Sequence, residues 1–123
     1  MTAFDPSRLY ELVDDAHQRP FVLELVGTYR RMLGTRVERV VTAVVTSDVD
    51  DAMDAVLSLK VSSTMTGACE LAEIASLLEA DLRSDDLPSA RTQTLLLPDA
   101  TQRATMAIDA YLARVSACGN NPG

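Results

Sequence analysis

The histidine, cysteines and carboxylates of this sequence are dispersed and form no recognisable catalytic or metal-binding set. The chain has one histidine, His17, and two cysteines, Cys69 and Cys118, and all three are far apart in sequence. A catalytic site needs such groups to converge, and a metal site needs Cys, His or Glu-x-x-His at ligand spacing. Neither pattern is present, nor is a Walker loop or a dinucleotide-binding glycine motif. We therefore expect no catalytic residues, no metal, no cofactor and no enzymatic activity.

The segment from Leu57 to Leu71 holds the most informative spacing of polar and small residues, LSLKVSSTMTGACEL. It resembles the histidine-containing phosphotransfer (HPt) family, whose pattern here is His-x-Leu-Lys-Gly-Ser-Ser, three variable residues, Gly-Ala-x-x-Leu and a later Leu-Glu. The resemblance extends from about Pro20 to Val115 and includes the upstream Phe21-Val-Leu-Glu-Leu. The matching residues are Leu59, Lys60, Ser62, Ser63, Gly67, Ala68, Leu71, Leu78 and Glu79.

Two departures from the family pattern lie at its functional centre. Leu57 occupies the place of the phosphorylated histidine, and Val61 that of the glycine that keeps the helix surface low beneath a docking receiver domain. Phosphoryl transfer needs a nucleophile, and a leucine side chain has no lone pair. The resemblance thus implies an HPt-like domain that carries no phosphate at this site. We interpret His17 as a surface-loop histidine, although an active protein that uses an unexpected residue stays open as an alternative.

A helical wheel of the same segment predicts an apolar strip that points away from the core. At about 100° per residue, Leu57 and Val61 each lie about 160° from the inward-facing Leu59, and Met53 lies about 120° from it. An exposed apolar strip favours a protein contact, so Met53, Leu57 and Val61 are candidate partner-binding residues, with Lys60 and Thr64 beside them. The alternative is that this helix is surrounded and that all its faces are core.

Apolar spacing predicts the elements that position this strip. Valines and leucines at helical spacing indicate one long helix from about Pro20 to Thr46; Ser47-x-x-Asp50 resembles a capping box that opens the next helix, and Gly67 marks its end. Asp5-Pro6 predicts a short N-terminal helix with Leu9, Leu12, Val13 and Ala16, Pro98 opens a last helix, and Ala90 to Leu97 stays undecided. We expect an all-α, antiparallel up-down four-helix bundle at residues 20–117, after an N-terminal segment at 1–19 with its short helix and before a flexible tail at 118–123.

Composition excludes several classes of partner. The net charge is −7, and an acidic surface repels nucleic-acid phosphates and anionic lipid. Neither a signal peptide nor an apolar stretch of about 20 residues is present, so we expect a cytoplasmic protein with no membrane or nucleic-acid role. Arg30, Arg31, Arg36 and Arg39 lie off the apolar stripe and are expected to be solvated or paired with acids. Ser62 and Ser63 are expected to satisfy local backbone groups.

The resemblance implies a pseudo-phosphotransfer signalling domain of a two-component phosphorelay. Its expected partner is the receiver domain of a response regulator or another signalling protein. The alternative is a homodimer closed by the same apolar strip.

Overall fold

Five helices account for most of the computed structural model, which describes residues 2–7, 9 and 19–119. They are α1 (Arg19–Val45), α2 (Val49–Thr66), α3 (Cys69–Arg83), α4 (Leu87–Thr94) and α5 (Leu97–Gly119). No strand occurs within the described ranges. The predicted all-α fold class is therefore confirmed.

The valine-rich segment forms α1, as its spacing predicts. Valine favours sheets, but here the valines recur every three or four residues and build one apolar face, so burial along a helix outweighs their intrinsic preference. The observed bounds differ from the predicted ones by one residue at each end. The buried members of this face are Val22, Val26, Tyr29, Leu33, Val37, Val40 and Val44.

The turn between α1 and α2 corrects the predicted capping box. Asp48, not Ser47, is the N-cap, and its carboxylate accepts a hydrogen bond from the backbone N–H of Asp51 at 3.1 Å. Ser47 has a left-handed backbone with φ of 61°, which reverses the chain after α1. Its hydroxyl instead accepts a hydrogen bond from Arg91 in α4 at 2.7 Å. The true cap lies one residue beyond the predicted one.

Gly67 ends α2, as predicted. Its φ of 93° is left-handed, and its N–H donates to the carbonyl of Ser63 at 3.0 Å. Glycine adopts this conformation at low cost because it has no Cβ. The chain then turns within two residues and begins α3 at Cys69.

The undecided stretch from Ala90 to Leu97 is mostly helical. It completes α4, which starts after the N-cap Asp86, turns at Leu95 and Leu96, and opens α5. Leu97 is fully buried, whereas Leu95 is 77% exposed. Pro98 lies in the first turn of α5, where its missing N–H costs no hydrogen bond.

The four long helices and the short α4 surround one core. Helix α2 packs between α1 and α3, while α5 and the short α4 both pack against α1 and α3. The core is aliphatic, with Leu, Val, Ala and Ile from all five helices. The largest fully buried side chains from α2, α3 and α5 are Leu59, Val56, Leu71, Leu78, Leu97 and Ile108.

The N-terminal segment crosses the end of the molecule where α2 meets α3. The N–H of Asp5 donates to the carbonyl of Gly67 at 2.6 Å, and the carbonyl of Thr2 accepts from the N–H of Glu70 at 3.0 Å. The Phe4 ring packs edge-on against Tyr111 of α5, with 5.4 Å between centroids. This segment therefore adds apolar cover to the core.

The chain ends are only partly described. Of the predicted N-terminal helix, Leu9 is described and buried, while Leu12, Val13 and Ala16 lie outside the described residues. Helix α5 continues through Gly119, two residues past the predicted boundary at 117, and residues 120–123 of the predicted flexible tail lie outside. The division of the chain into 1–19, 20–117 and 118–123 stays a prediction.

Candidate functional site

Helix α2 presents two chemically different faces. Its inner face consists of buried small and aliphatic side chains and two buried hydroxyl residues. On the opposite face, Val61 is 56% exposed and Thr64 is exposed. Because these residues face solvent, α2 is not surrounded on all sides. The buried set is Ala52, Ala55, Val56, Leu59, Ser63 and Thr66.

The five predicted partner-binding residues do not all share this outward face. Leu57 is half-buried, whereas Val61 and Thr64 are exposed. The strip that points away from the core consists of Leu57 and Val61, with Thr64 beside them. Met53 is half-buried and packs against the core, which fits its smaller wheel angle from Leu59. The outward strip therefore begins at Leu57, one helical turn after Met53, where the predicted strip began.

Lys60 is held by an ion pair on the α3 side of the strip. Its Nζ lies 2.7 Å from Oε1 of Glu79, whose other oxygen lies 2.8 Å from a guanidinium nitrogen of Arg83. Hydrogen bonds from Lys60 and then from Arg83 lower the pKa of the Glu79 carboxyl below its usual value. Lys60 is therefore not a freely solvated lysine, because its ion pair bridges α2 and α3. This three-residue cluster keeps a net charge of +1.

A buried hydroxyl pair lies on the α1 side of α2. The Tyr29 hydroxyl and the Ser63 hydroxyl are 2.6 Å apart, and both residues are buried. Burial is the main cause that raises the pKa of Tyr29 from 10.0 to about 12. Ser62 bonds the backbone carbonyl of Ser58 as expected, but Ser63 bonds a side chain from α1. The pair joins the two helices beneath the surface.

An apolar groove borders the strip on this side, and sequence reasoning missed it. It lies between α1 and α2, has a volume of about 130 Å³, and is walled by Leu25 from α1 and Met65 from α2. Met65 is 48% exposed and follows Val61 by one helical turn. The i, i+4 spacing from Val61 to Met65 was the signal that could have extended the predicted strip.

The four arginines of α1 separate into two pairs. Arg30 forms an ion pair with Asp109 of α5, and Arg39 forms one with Asp51 of α2, as expected. Within the described part of the chain, Arg31 bonds only the hydroxyl of Thr28, and Arg36 only the sulfur of Met32. Of these two, Arg36 lines the groove.

The described residues hold no further group with evident chemistry. None of them form a cluster of three or more His, Cys, Asp or Glu side chains suited to a metal ion. Cys69 is a free thiol whose sulfur bonds the carbonyl of Gly67, while His17 and the Cys118 side chain lie outside what the structure describes. Among the described helices, none combines the length and apolar character that a bilayer crossing requires.

Comparisons with protein families, with curated proteins and with solved structures found no match to this chain. What is known of the site therefore comes from its own geometry: an apolar strip, an ion cluster on the α3 side and an apolar groove on the α1 side.

Proposed function

We propose that this chain is an HPt-like pseudo-phosphotransfer domain that binds a response-regulator receiver domain, in the cytoplasm, through the outward face of α2. The observation that carries the proposal is the apolar strip of Leu57 and Val61 beside Lys60, where the resembling family has its histidine and glycine. A domain that binds a receiver without accepting its phosphoryl group would compete with a true phosphotransfer protein for that receiver.

An antiparallel four-helix bundle is part of the proposal, and interhelical ion pairs support it. These pairs join α1 to α2, α2 to α3, α3 to α5 and α5 to α1, which is the closed ring of neighbours that a four-helix bundle requires. Residues late in α1 contact residues early in α2, as expected for antiparallel helices. The four pairs are Arg39–Asp51, Lys60–Glu79, Arg103–Glu70 and Arg30–Asp109.

The energetics of apolar burial fit a modest, reversible contact. Full burial of a leucine or valine side chain contributes about 1.5–3 kcal/mol. Leu57 is already half-buried, so Val61 has the larger area to lose from water. The positively charged cluster around Glu79 would lie at the rim, where it favours an acidic surface on the partner.

A binding titration with purified receiver domains tests the proposal. We expect Val61→Asp and Leu57→Asp to weaken binding about tenfold or more, because a carboxylate in the contact must be desolvated. Met106→Asp is the matched control: Met106 is 64% exposed but lies on α5, so its replacement should leave affinity unchanged.

Two results would contradict the proposal. One is that no receiver domain binds the wild-type chain, and the other is that binding survives both α2 replacements. Because Leu57 is half-buried, circular dichroism checks that its Asp variant is still folded. Val61 is more exposed, so the Val61 variant tests receiver binding independently.

The alternative is a homodimer closed by the same face, which the exposure of Val61 and Met65 favours. Sedimentation equilibrium distinguishes the homodimer from the receiver-binding domain. A dimer that dissociates in the Val61→Asp variant, together with no receiver binding, supports self-association.

A further inference from the structure

The groove between α1 and α2 is lined mainly by apolar atoms, although several of its residues carry hydroxyls. The Tyr29 hydroxyl is engaged by Ser63, and the Thr66 hydroxyl bonds the carbonyl of Ser62. The Thr28 hydroxyl accepts a hydrogen bond from Arg31. Because these oxygens already have partners, the groove offers an incoming molecule mainly apolar surface.

The size of the groove suits one bulky apolar side chain. Its volume is about 130 Å³, and an apolar cavity of about 150 Å³ can hold benzene. Exposed apolar residues adjoin it: Met32 contacts Arg36, and Phe21 lies one turn before Leu25 on α1. Phe21 is 62% exposed and Met32 is 44% exposed. An elongated apolar surface with one pocket fits the apolar side of a helix.

Arg36 is the charged group of the groove, and it forms no ion pair with a carboxylate among residues 2–7, 9 and 19–119. Elsewhere in the described part of this acidic chain, five basic side chains form ion pairs: Arg30, Arg39, Lys60, Arg83 and Arg103. Arg36 instead contacts the sulfur of Met32 at 3.7 Å. A guanidinium beside apolar surface is suited to a carboxylate supplied by a partner.

We propose that the groove binds an amphipathic helix of the partner protein, which inserts a bulky apolar side chain beside Leu25 and Met65 and directs a carboxylate to Arg36. This inference rests on the proposed function, because the strip and the groove are adjacent on α2. It adds the chemistry of the partner: one apolar anchor and one acidic residue on the same helix face.

The probe is a fluorescein-labelled, hydrocarbon-stapled helical peptide with Phe and Leu at positions i, i+4 and i+7 of one face and Glu at i+3. A second peptide carries Lys in place of that Glu. Fluorescence anisotropy with the full chain should show saturable binding of the Glu peptide and about tenfold weaker binding of the Lys peptide.

Charge reversal on the protein decides whether Arg36 is the recognising group. We expect Arg36→Glu to reverse the preference, so that the Lys peptide binds better than the Glu peptide. Arg91→Glu is the matched control, since Arg91 is exposed on α4 and bonds the hydroxyl of Ser47, and neither residue lines the groove. It should keep the original preference.

The methyl groups of the methionines report where the peptide binds. In a methyl-labelled NMR sample, Met32 and Met65 should shift on addition of the Glu peptide, and Met106 on α5 should not. The inference is overturned if neither peptide binds, if Arg36→Glu leaves the preference unchanged, or if Met106 shifts alone. It is also overturned if Met32 and Met65 shift with protein concentration alone, because the occupant is then a second copy.

The two proposals fail separately. If receiver domains bind and depend on Val61, but the peptide does not bind, only the groove inference fails. If the peptide binds with the Arg36 preference and no receiver domain binds, only the identity of the partner in the proposed function fails.

Discussion

The hydroxyl pair between Tyr29 and Ser63 is a buried polar contact between α1 and α2. A buried hydroxyl without a partner costs more than the hydrogen bond itself contributes. Each of these two residues satisfies the other within an otherwise aliphatic core. Tyr29 also lines the groove, so stability and the candidate binding surface share one residue.

Ionisation of Tyr29 gives a prediction at high pH. Its folded-state pKa of about 12 lies above its ordinary value of 10.0, so the unfolded chain loses the proton first as the pH rises. The stabilisation present below pH 10 is therefore lost between about pH 10 and pH 12. Two pKa units correspond to about 2–3 kcal/mol. Urea unfolding across this range should show such a decrease in the free energy of unfolding for the wild type.

The matched variant for this prediction is Tyr29→Phe, which cannot ionise. Its free energy of unfolding should be lower than that of the wild type at pH 8, by about 1 kcal/mol, but should decline less between pH 10 and pH 12. Equal declines in the two proteins would show that Tyr29 does not carry the alkaline transition.

At the level of the elements, the end of α2 depends on one glycine. Gly67→Ala would place a Cβ on a residue with φ of 93°, which costs about 1–2 kcal/mol. Gly34→Ala is the contrasting change, since Gly34 lies in α1 and a Cβ there has no atom within 4 Å. It should stabilise the protein by about 0.5–1 kcal/mol. Thermal unfolding compares them, and a stabilising Gly67→Ala would contradict the assigned left-handed cap.

Most of the helices could be predicted from periodicity because burial on one face dominates their formation. The valines of α1 show this best: their spacing, not their sheet preference, determines the structure. Helix α4 was harder because eight residues give barely two turns of pattern. The cap of α2 was misassigned because Ser47 and Asp48 are both good capping residues, and the choice depends on the backbone turn at Ser47.

The site was only partly predictable for a different reason. A helical wheel gives the angle of a side chain about its own axis, and this angle correctly separated Val61 from Leu59. It does not give the position of neighbouring helices. The pairing of Lys60 with Glu79, the inward packing of Met53 and the groove beside Met65 all depend on how α1 and α3 lie against α2, which requires the tertiary structure.

At the scale of the whole molecule, the chain is strongly acidic. The net charge of −7 comes from 18 acidic and 11 basic residues, and ion pairs consume several of the basic ones. The groove is lined mainly by apolar and hydroxyl side chains of α1 and α2, and the strip of Leu57 and Val61 borders it. We therefore expect partner binding here to depend on apolar burial, with charge acting at the rim through Arg36 and the Lys60 cluster.

The central claim is that Leu57 and Val61 occupy the place of a phosphoacceptor histidine and its neighbouring glycine. Phosphoryl transfer from a phosphorylated receiver domain tests it most directly, with the wild type compared with the Leu57→His, Val61→Gly double variant. We predict no phosphate on the wild type and acid-labile phosphate on the double variant. Phosphate on the wild type, or none on a folded double variant that still binds the receiver, would contradict the account.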